Sequence, residues 1–178
     1  MEVNLQKEQY YEERMEYGGF WIRFVAYFID SIIIGIPLAI LAFIIFVVFF
    51  GANENLMAII SDPDYVDYGV TEAEALSILG SYLGALGVIM IINLVVWISY
   101  FAGMHSSKWQ ATLGKKMLGL KVADLHGNRI TFWRALGRYL AMSFLSGILL
   151  IGYIIAAFTE KKQSLHDFIA STVVIKNS

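Results

Sequence analysis

Apolar positions along this chain run together in three blocks instead of alternating with polar ones. The first block, Phe24 to Phe50, holds 27 residues and a single charge, Asp30. A helix of that length reaches about 40 Å, more than the roughly 30 Å hydrocarbon core of a bilayer. The second block, from Ala75 to Ser107, has no charged residue, and His105 is its one titratable group. The third, Tyr139 to Thr159, is 21 residues without a charge. The pattern predicts an all-α membrane protein with full spans at about 22–50 and 76–102 and a third apolar region at about 136–158. Two readings of that third region stand open. It is long enough to cross once as a single span. Ser146-Gly147 and Gly152 could instead break it into a re-entrant helical hairpin.

The polar stretches carry the remaining elements. Residues 1–17 are predicted to be a hydrophilic tail, disordered or loosely helical. Thr71-Glu72-Ala73-Glu74 fits a capping box, so a helix should start there and lead into the second span. Residues 107–117 fit a short helix lying on the membrane surface and anchored by Trp109. Alternation at 118–124, a Leu125-His126-Gly127-Asn128 turn and Arg129-Ile130-Thr131-Phe132 read as a β-hairpin. The run Thr172-Val173-Val174-Ile175 reads as a C-terminal strand, for which that hairpin is the expected partner. This pairing needs both on one side of the membrane, which favours the broken hairpin at 136–158.

Charge adds a direction. Of the 178 residues, 58% are hydrophobic and only 16% charged, and there is no cysteine. Loop 51–75 holds six acidic residues and no Lys or Arg. Loop 103–135 holds Lys108, Lys115, Lys116, Lys121, Arg129 and Arg134 against Asp124. An excess of Lys and Arg marks cytoplasmic loops. The basic loop and the N-terminus are therefore expected inside and the acidic loop outside; the tail 159–178 lies inside with a hairpin at 136–158 and outside with a single span. Lys108, Lys115 and Lys116 are expected to meet lipid phosphates. The first apolar run is too long for the core of a signal peptide and follows an acidic start, so it is read as an uncleaved span.

Candidate chemistry is sparse. Arg23 and Asp30 are seven residues apart and share a helix face, but about 10 Å of rise separates them. Each needs a partner from elsewhere. Asp30 either serves an ion or proton path or is an interfacial ion-pair partner at the end of its span. Arg138 and Asp167 are the available counter-charges, and the expected pairs are Arg23–Asp167 near the surface and Asp30–Arg138 deeper. Asn93 is the one amide inside the second span, suited to an interhelical hydrogen bond or to a permeating ion. Gly80, Gly84 and Gly87 form a small-residue face for helix packing. His105, His126 and His166 are scattered without a catalytic or metal-ligand spacing, so no enzyme, metal site or cofactor is expected. Nothing points to nucleic acid.

Four stretches together resemble the RDD family of bacterial membrane proteins. They are Gly18 to Asp30, Gln110 to Val122, Arg134 to Leu140 and Ser164 to Val174. The resemblance covers nearly everything from Gly18 to Ile175, giving a membrane domain at 18–178 after the tail. The family name refers to one Arg and two Asp, which map onto Arg23, Asp30 and Asp167. Ser171 departs from the pattern, since glycine is frequent there. The resemblance implies a protein of the bacterial cell membrane associated with transport. Some members look like monovalent cation/proton antiporters, and two spans with a hairpin would need a homo-oligomer to enclose a path. Other members appear as regulatory or accessory subunits of another membrane protein, such as a protease or a transporter.

Overall fold

In a computed structural model of the chain, residues 15–62, 69–146 and 151–177 are described. Helix α1 runs Phe20–Gly51, α2 Glu54–Ser61, α3 Glu72–His105 and α4 Leu113–Met117. Strand β1 is Leu120–Asp124. Helix α5, Phe132–Ala141, passes into a π-helical turn at Met142–Ser146. Helix α6, Ile151–Ile154, ends in a 3-10 turn at Ile155–Ala157, and α7 (Leu165–Ile169) precedes strand β2, Thr172–Lys176. Helices α1 and α3, at 32 and 34 residues, are long and apolar enough to cross a membrane.

The chain divides into two compact units, one of residues 1–33 with 97–178 and one of residues 34–96. Unit 34–96 contains the distal part of α1, α2 and the first part of α3. The predicted capping box at its α3 end is present: Glu74 accepts from the backbone N–H of Thr71 at 2.8 Å, and Thr71 Oγ1 accepts from the N–H of Glu74 at 3.3 Å. The segment read as a plain acidic loop holds α2, capped by Asn53, whose Oδ1 accepts from Leu56 N–H at 2.9 Å. The Asn53 amide also donates to Ser81 Oγ at 2.7 Å and to Ser77 Oγ at 3.1 Å, tying the start of α2 to α3. Much of the acidic Asp62–Asp67 cluster lies outside the described residues.

The other unit is built on a two-stranded sheet. β1 and β2 are antiparallel, with Leu120 opposite Lys176, Val122 opposite Val174 and Asp124 opposite Thr172. The expected partnership of the C-terminal strand is therefore present, but the β-hairpin is not. Residues 129–131 form no strand. β2 takes the place beside β1, and the turn at 125–128 is closed by Asp124, whose Oδ1 accepts from the N–H groups of His126 and Asn128. The other edge of β2 is met by residues 16–18, through Lys176 N–H to the Glu16 carbonyl and Gly18 N–H to the Val174 carbonyl. The end of the expected N-terminal tail is thus ordered, while residues 1–14 lie outside the described residues. Leu120, Val122 and Val174 pack on Ala26 of α1, Ala102 of α3 and Ala135 of α5. Alanine at those three helix positions lets the backbones approach the sheet closely.

In the third apolar region, α5 runs on into its π turn and the short α6 follows; the expected break after Ser146 falls at 147–150, outside the described residues. The short helix at the basic loop is also different from expectation. Only Leu113–Met117 is helical, and one side of it is turned inward, with Gly114 and Lys115 buried and Lys116 and Met117 exposed.

Candidate functional site

Two carboxylates organise the unit around the sheet, and their partners come from different elements. Asp30, on the buried face of α1, is fully enclosed. Its Oδ1 accepts from Tyr100 Oη at 2.6 Å and from Gly114 N–H at 2.7 Å, and its Oδ2 accepts from Thr112 Oγ1 at 2.6 Å. Tyr100 Oη in turn accepts from Leu113 N–H at 3.0 Å. Free backbone N–H groups at a helix start need acceptors. The first amides of α4 find theirs in side chains from α1 and α3. Only glycine fits at 114, because a Cβ there would run into the Ala26 carbonyl oxygen and the Asp30 carboxyl. The expected Asp30–Arg138 pair is therefore not formed. Asp30 satisfies its lone pairs with hydroxyls and an amide.

The expected Arg23–Asp167 pair is present, with Nη1 donating to Oδ2 at 2.5 Å. Arg138 joins the same carboxylate, donating from Nε and Nη2 to Oδ1 at 2.8 and 2.7 Å. Ser164 adds its hydroxyl to Oδ2 at 2.7 Å. Burial alone would raise the Asp167 carboxyl; Arg138 and Arg23 outweigh that and hold it well below the usual carboxylate range. Arg23 also donates from Nε to the Gly18 carbonyl at 2.7 Å. Among the described residues, its Nη2 is the one buried side-chain nitrogen or oxygen without a hydrogen-bond partner.

From Arg138 the network continues inward. Its Nη1 lies 3.4 Å from His105 Nδ1, and His105 Nε2 lies 3.2 Å from Lys115 Nζ. A neutral imidazole accepts at one nitrogen and donates from the other. The guanidinium can only donate, so the network assigns Nδ1 as acceptor and Nε2 as donor. Lys115 Nζ accepts from it in the neutral amine form. Burial pushes the Lys115 amine down to about 7; Arg138 adds to the shift, and Asp30 and Asp167 oppose it. His166, buried beside this cluster, is pushed down to about 3, again by burial first.

Lys115 was expected at the lipid phosphates and is instead buried, because α4 is drawn inward by Asp30. Lys108 is exposed, and Lys116 is exposed with its Nζ 3.4 Å from the centre of the Trp109 ring. The Asn93 amide donates to the Ile89 carbonyl one turn back in its own helix, at 2.9 Å. Gly84 lies against the Phe49 ring, whereas Gly80 and Gly87 face open space. Sequence alone did not single out Tyr100, Thr112 and Gly114; it assigned Lys115 to lipid phosphates and gave His105 no role. Thr112 and Gly114 stood inside the stretch 110–122 that carried the family resemblance. Their partner Asp30, however, is 82 and 84 residues away.

The architecture defines a mostly helical protein with two candidate membrane-crossing helices and a compact charged unit. The chain belongs to the RDD family, whose model matches residues 17–171. It is 41% identical over 159 residues to the uncharacterized protein YxaI of Bacillus subtilis, covering 89% of this chain and 96% of that protein. It is 27% identical over 160 residues to the uncharacterized membrane protein YteJ of the same organism, covering 89% of this chain and 80% of that one. No solved structure matches.

Proposed function

We propose that this chain is a non-enzymatic, multi-pass protein of the bacterial cell membrane that exchanges a monovalent cation for a proton as a homo-oligomer. The carrying observation is a buried oxygen cluster, Asp30 with the hydroxyls of Thr112 and Tyr100, in the electrostatic range of the buried amine of Lys115. Intramembrane ionisable groups are costly and commonly line ion paths. If the two hydroxyls rotate, their lone pairs and Asp30 Oδ2 form an oxygen set suited to a hard monovalent cation. A cation there disfavours the charged form of Lys115, which releases its proton. Reprotonation of Lys115 expels the cation. One charge enters for each that leaves. Lys115 also faces His105 of α3, Arg138 of α5, Asp167 of α7 and Arg23 of α1, so its titration reports the state of the whole cluster. The basic loop 103–135 supports a cytoplasmic N-terminus by the excess of Lys and Arg.

The test is cation-driven proton movement in everted membrane vesicles carrying wild type, Asp30→Asn or Lys115→Met at equal membrane abundance. Exchange by the wild type and its loss in both variants is the expected result. Wild-type vesicles indistinguishable from empty-vector vesicles, with folded protein present, would overturn it.

A second reading, an accessory subunit of another membrane protein, is favoured by the uncovered apolar surface of the long helices. Phe43 is 68% exposed and Met90 70%. Co-purification of a stoichiometric protein partner, together with absent exchange, supports that reading.

A further inference from the structure

Beside the charged cluster lies a cavity of about 430 Å³ with two unlike parts. One wall carries Arg23, Lys115 and Arg138, and no acidic side chain lines it. Asp167 bridges the two guanidinium groups but is itself fully buried and not part of the lining. The remaining walls are largely apolar: Phe20, Phe24, Tyr27, Met142 and Ile154. Phe24, Tyr27 and Ile154 are each 40% or more exposed, so the apolar side is the open side. Arg23, which lines the cationic wall, is the residue with the unpartnered buried nitrogen Nη2.

A buried guanidinium donor without an acceptor is costly, because its hydration is lost without replacement. Arg23 spends Nε on the Gly18 carbonyl and Nη1 on Asp167. Its Nη2 has no acceptor among the described residues and is closed to water, so a head group in the cavity reaches it by a turn of the guanidinium. Guanidinium groups suit the oxygens of phosphate and carboxylate. The volume falls within the range of small-molecule sites. An anion with no tail would leave the aromatic and aliphatic walls unused.

We infer that this cavity binds an anionic amphiphile, with a phosphate or carboxylate head at Arg23, Arg138 and Lys115 and its hydrocarbon tail against Phe20, Phe24 and Ile154. The source is a bilayer lipid or a free fatty acid, both of which offer this chemistry. The site shares Lys115 with the proposed exchange, but its test does not measure exchange, so either reading can fail alone.

The purified full chain in neutral detergent is titrated with phosphatidylglycerol, with phosphatidylcholine of the same acyl chains, with oleate and with inorganic phosphate. Bound ligand is counted by native mass spectrometry and stability is followed by the thermal midpoint. Phosphatidylglycerol or oleate should bind at about tenfold lower concentration than phosphatidylcholine, the scale of one charge-assisted hydrogen bond. Preference for phosphatidylglycerol over oleate identifies a lipid phosphate; the reverse identifies a fatty-acid carboxylate. Equal binding of phosphatidylglycerol, oleate and phosphatidylcholine overturns the site, and so does saturation by inorganic phosphate as readily as by the amphiphiles. Arg23→Lys keeps a positive charge for Asp167 while removing Nη2, and should abolish the preference. If that variant does not fold, Phe24→Glu places a negative charge on a half-exposed wall position and should do the same. Retention of the preference in a folded Phe24→Glu protein also overturns the site.

Discussion

The unit around the sheet and the unit of residues 34–96 solve opposite problems. The first buries charge: Asp30, Lys115, Arg138 and Asp167 are all shielded, as is the polar His105. The second exposes hydrocarbon: Phe43, Met90 and Ile91 are more than half accessible. Buried charge demands directional partners at hydrogen-bond distance, so the first unit is held by a specific set of side chains. Exposed hydrocarbon demands only a medium other than water, and such surface marks a membrane or protein contact. The first unit should therefore be sensitive to single atoms and the second tolerant of them.

The largest expected break is Asp167→Asn. It leaves Arg23 and Arg138 without a countercharge in a buried site, which typically costs about 3–5 kcal/mol. Reversible unfolding in mixed micelles should show that loss, and equal stability of variant and wild type would show that the pair is not needed for the fold. The same carboxyl sets an acid limit. Its pKa is depressed in the folded chain. Its stabilisation is therefore complete above the unfolded value of about 4 and is lost as pH falls below it towards the folded value. Wild type should weaken below about pH 4 and Asp167→Asn should not show that component.

Gly114→Ala comes next. The added Cβ meets the backbone carbonyl of Ala26 and the Asp30 carboxyl, which three hydrogen bonds hold in place. Overpacking of this kind costs about 1–3 kcal/mol, read from the same unfolding experiment. Gly87→Ala in the other unit is the matched control. Its Cβ enters open space, and the gain in helix propensity is at most about 1 kcal/mol. If Gly87→Ala instead dissociates a homo-oligomer seen by light scattering, the glycine face is an oligomer contact.

The last effect is a slope with pH. Lys115 is held near 7 in the folded chain, below its usual 10.5. Between those values the unfolded chain binds the extra proton, so stability rises with pH from about 7 to 10.5 and this contribution is flat below 7. Lys115→Met should remove that rise. A wild-type profile that is level across this window would mean that Lys115 stays charged in the fold.

Much of this division was legible in order along the chain. The uncharged blocks located α1 and α3, since span length and composition are local properties. Thr71 and Glu74 located the start of α3, because a capping box closes within four residues. Arg23–Asp167 was also legible, from counting charges that lacked neighbours. Ser171, the departure from the family pattern, takes a left-handed backbone at φ +49, where glycine carries no strain. The β-hairpin was misread because the alternation at 118–124 fits any antiparallel neighbour. The competitor β2 lies about fifty residues on.

The sequence by itself determined two long apolar helices, a segregated set of charges and the family to which the chain belongs. Each of these follows from composition or short-range spacing. Tertiary structure alone decided who partners whom: that Asp30 takes Tyr100, Thr112 and Gly114, that Arg138 shares Asp167 with Arg23, and that Lys115 is buried while Lys116 is not. The physical reason is that a carboxylate accepts from a hydroxyl, an amide or a guanidinium alike. Which donor reaches it is fixed by the packing of α1, α3, α4 and α5 against one another and the sheet.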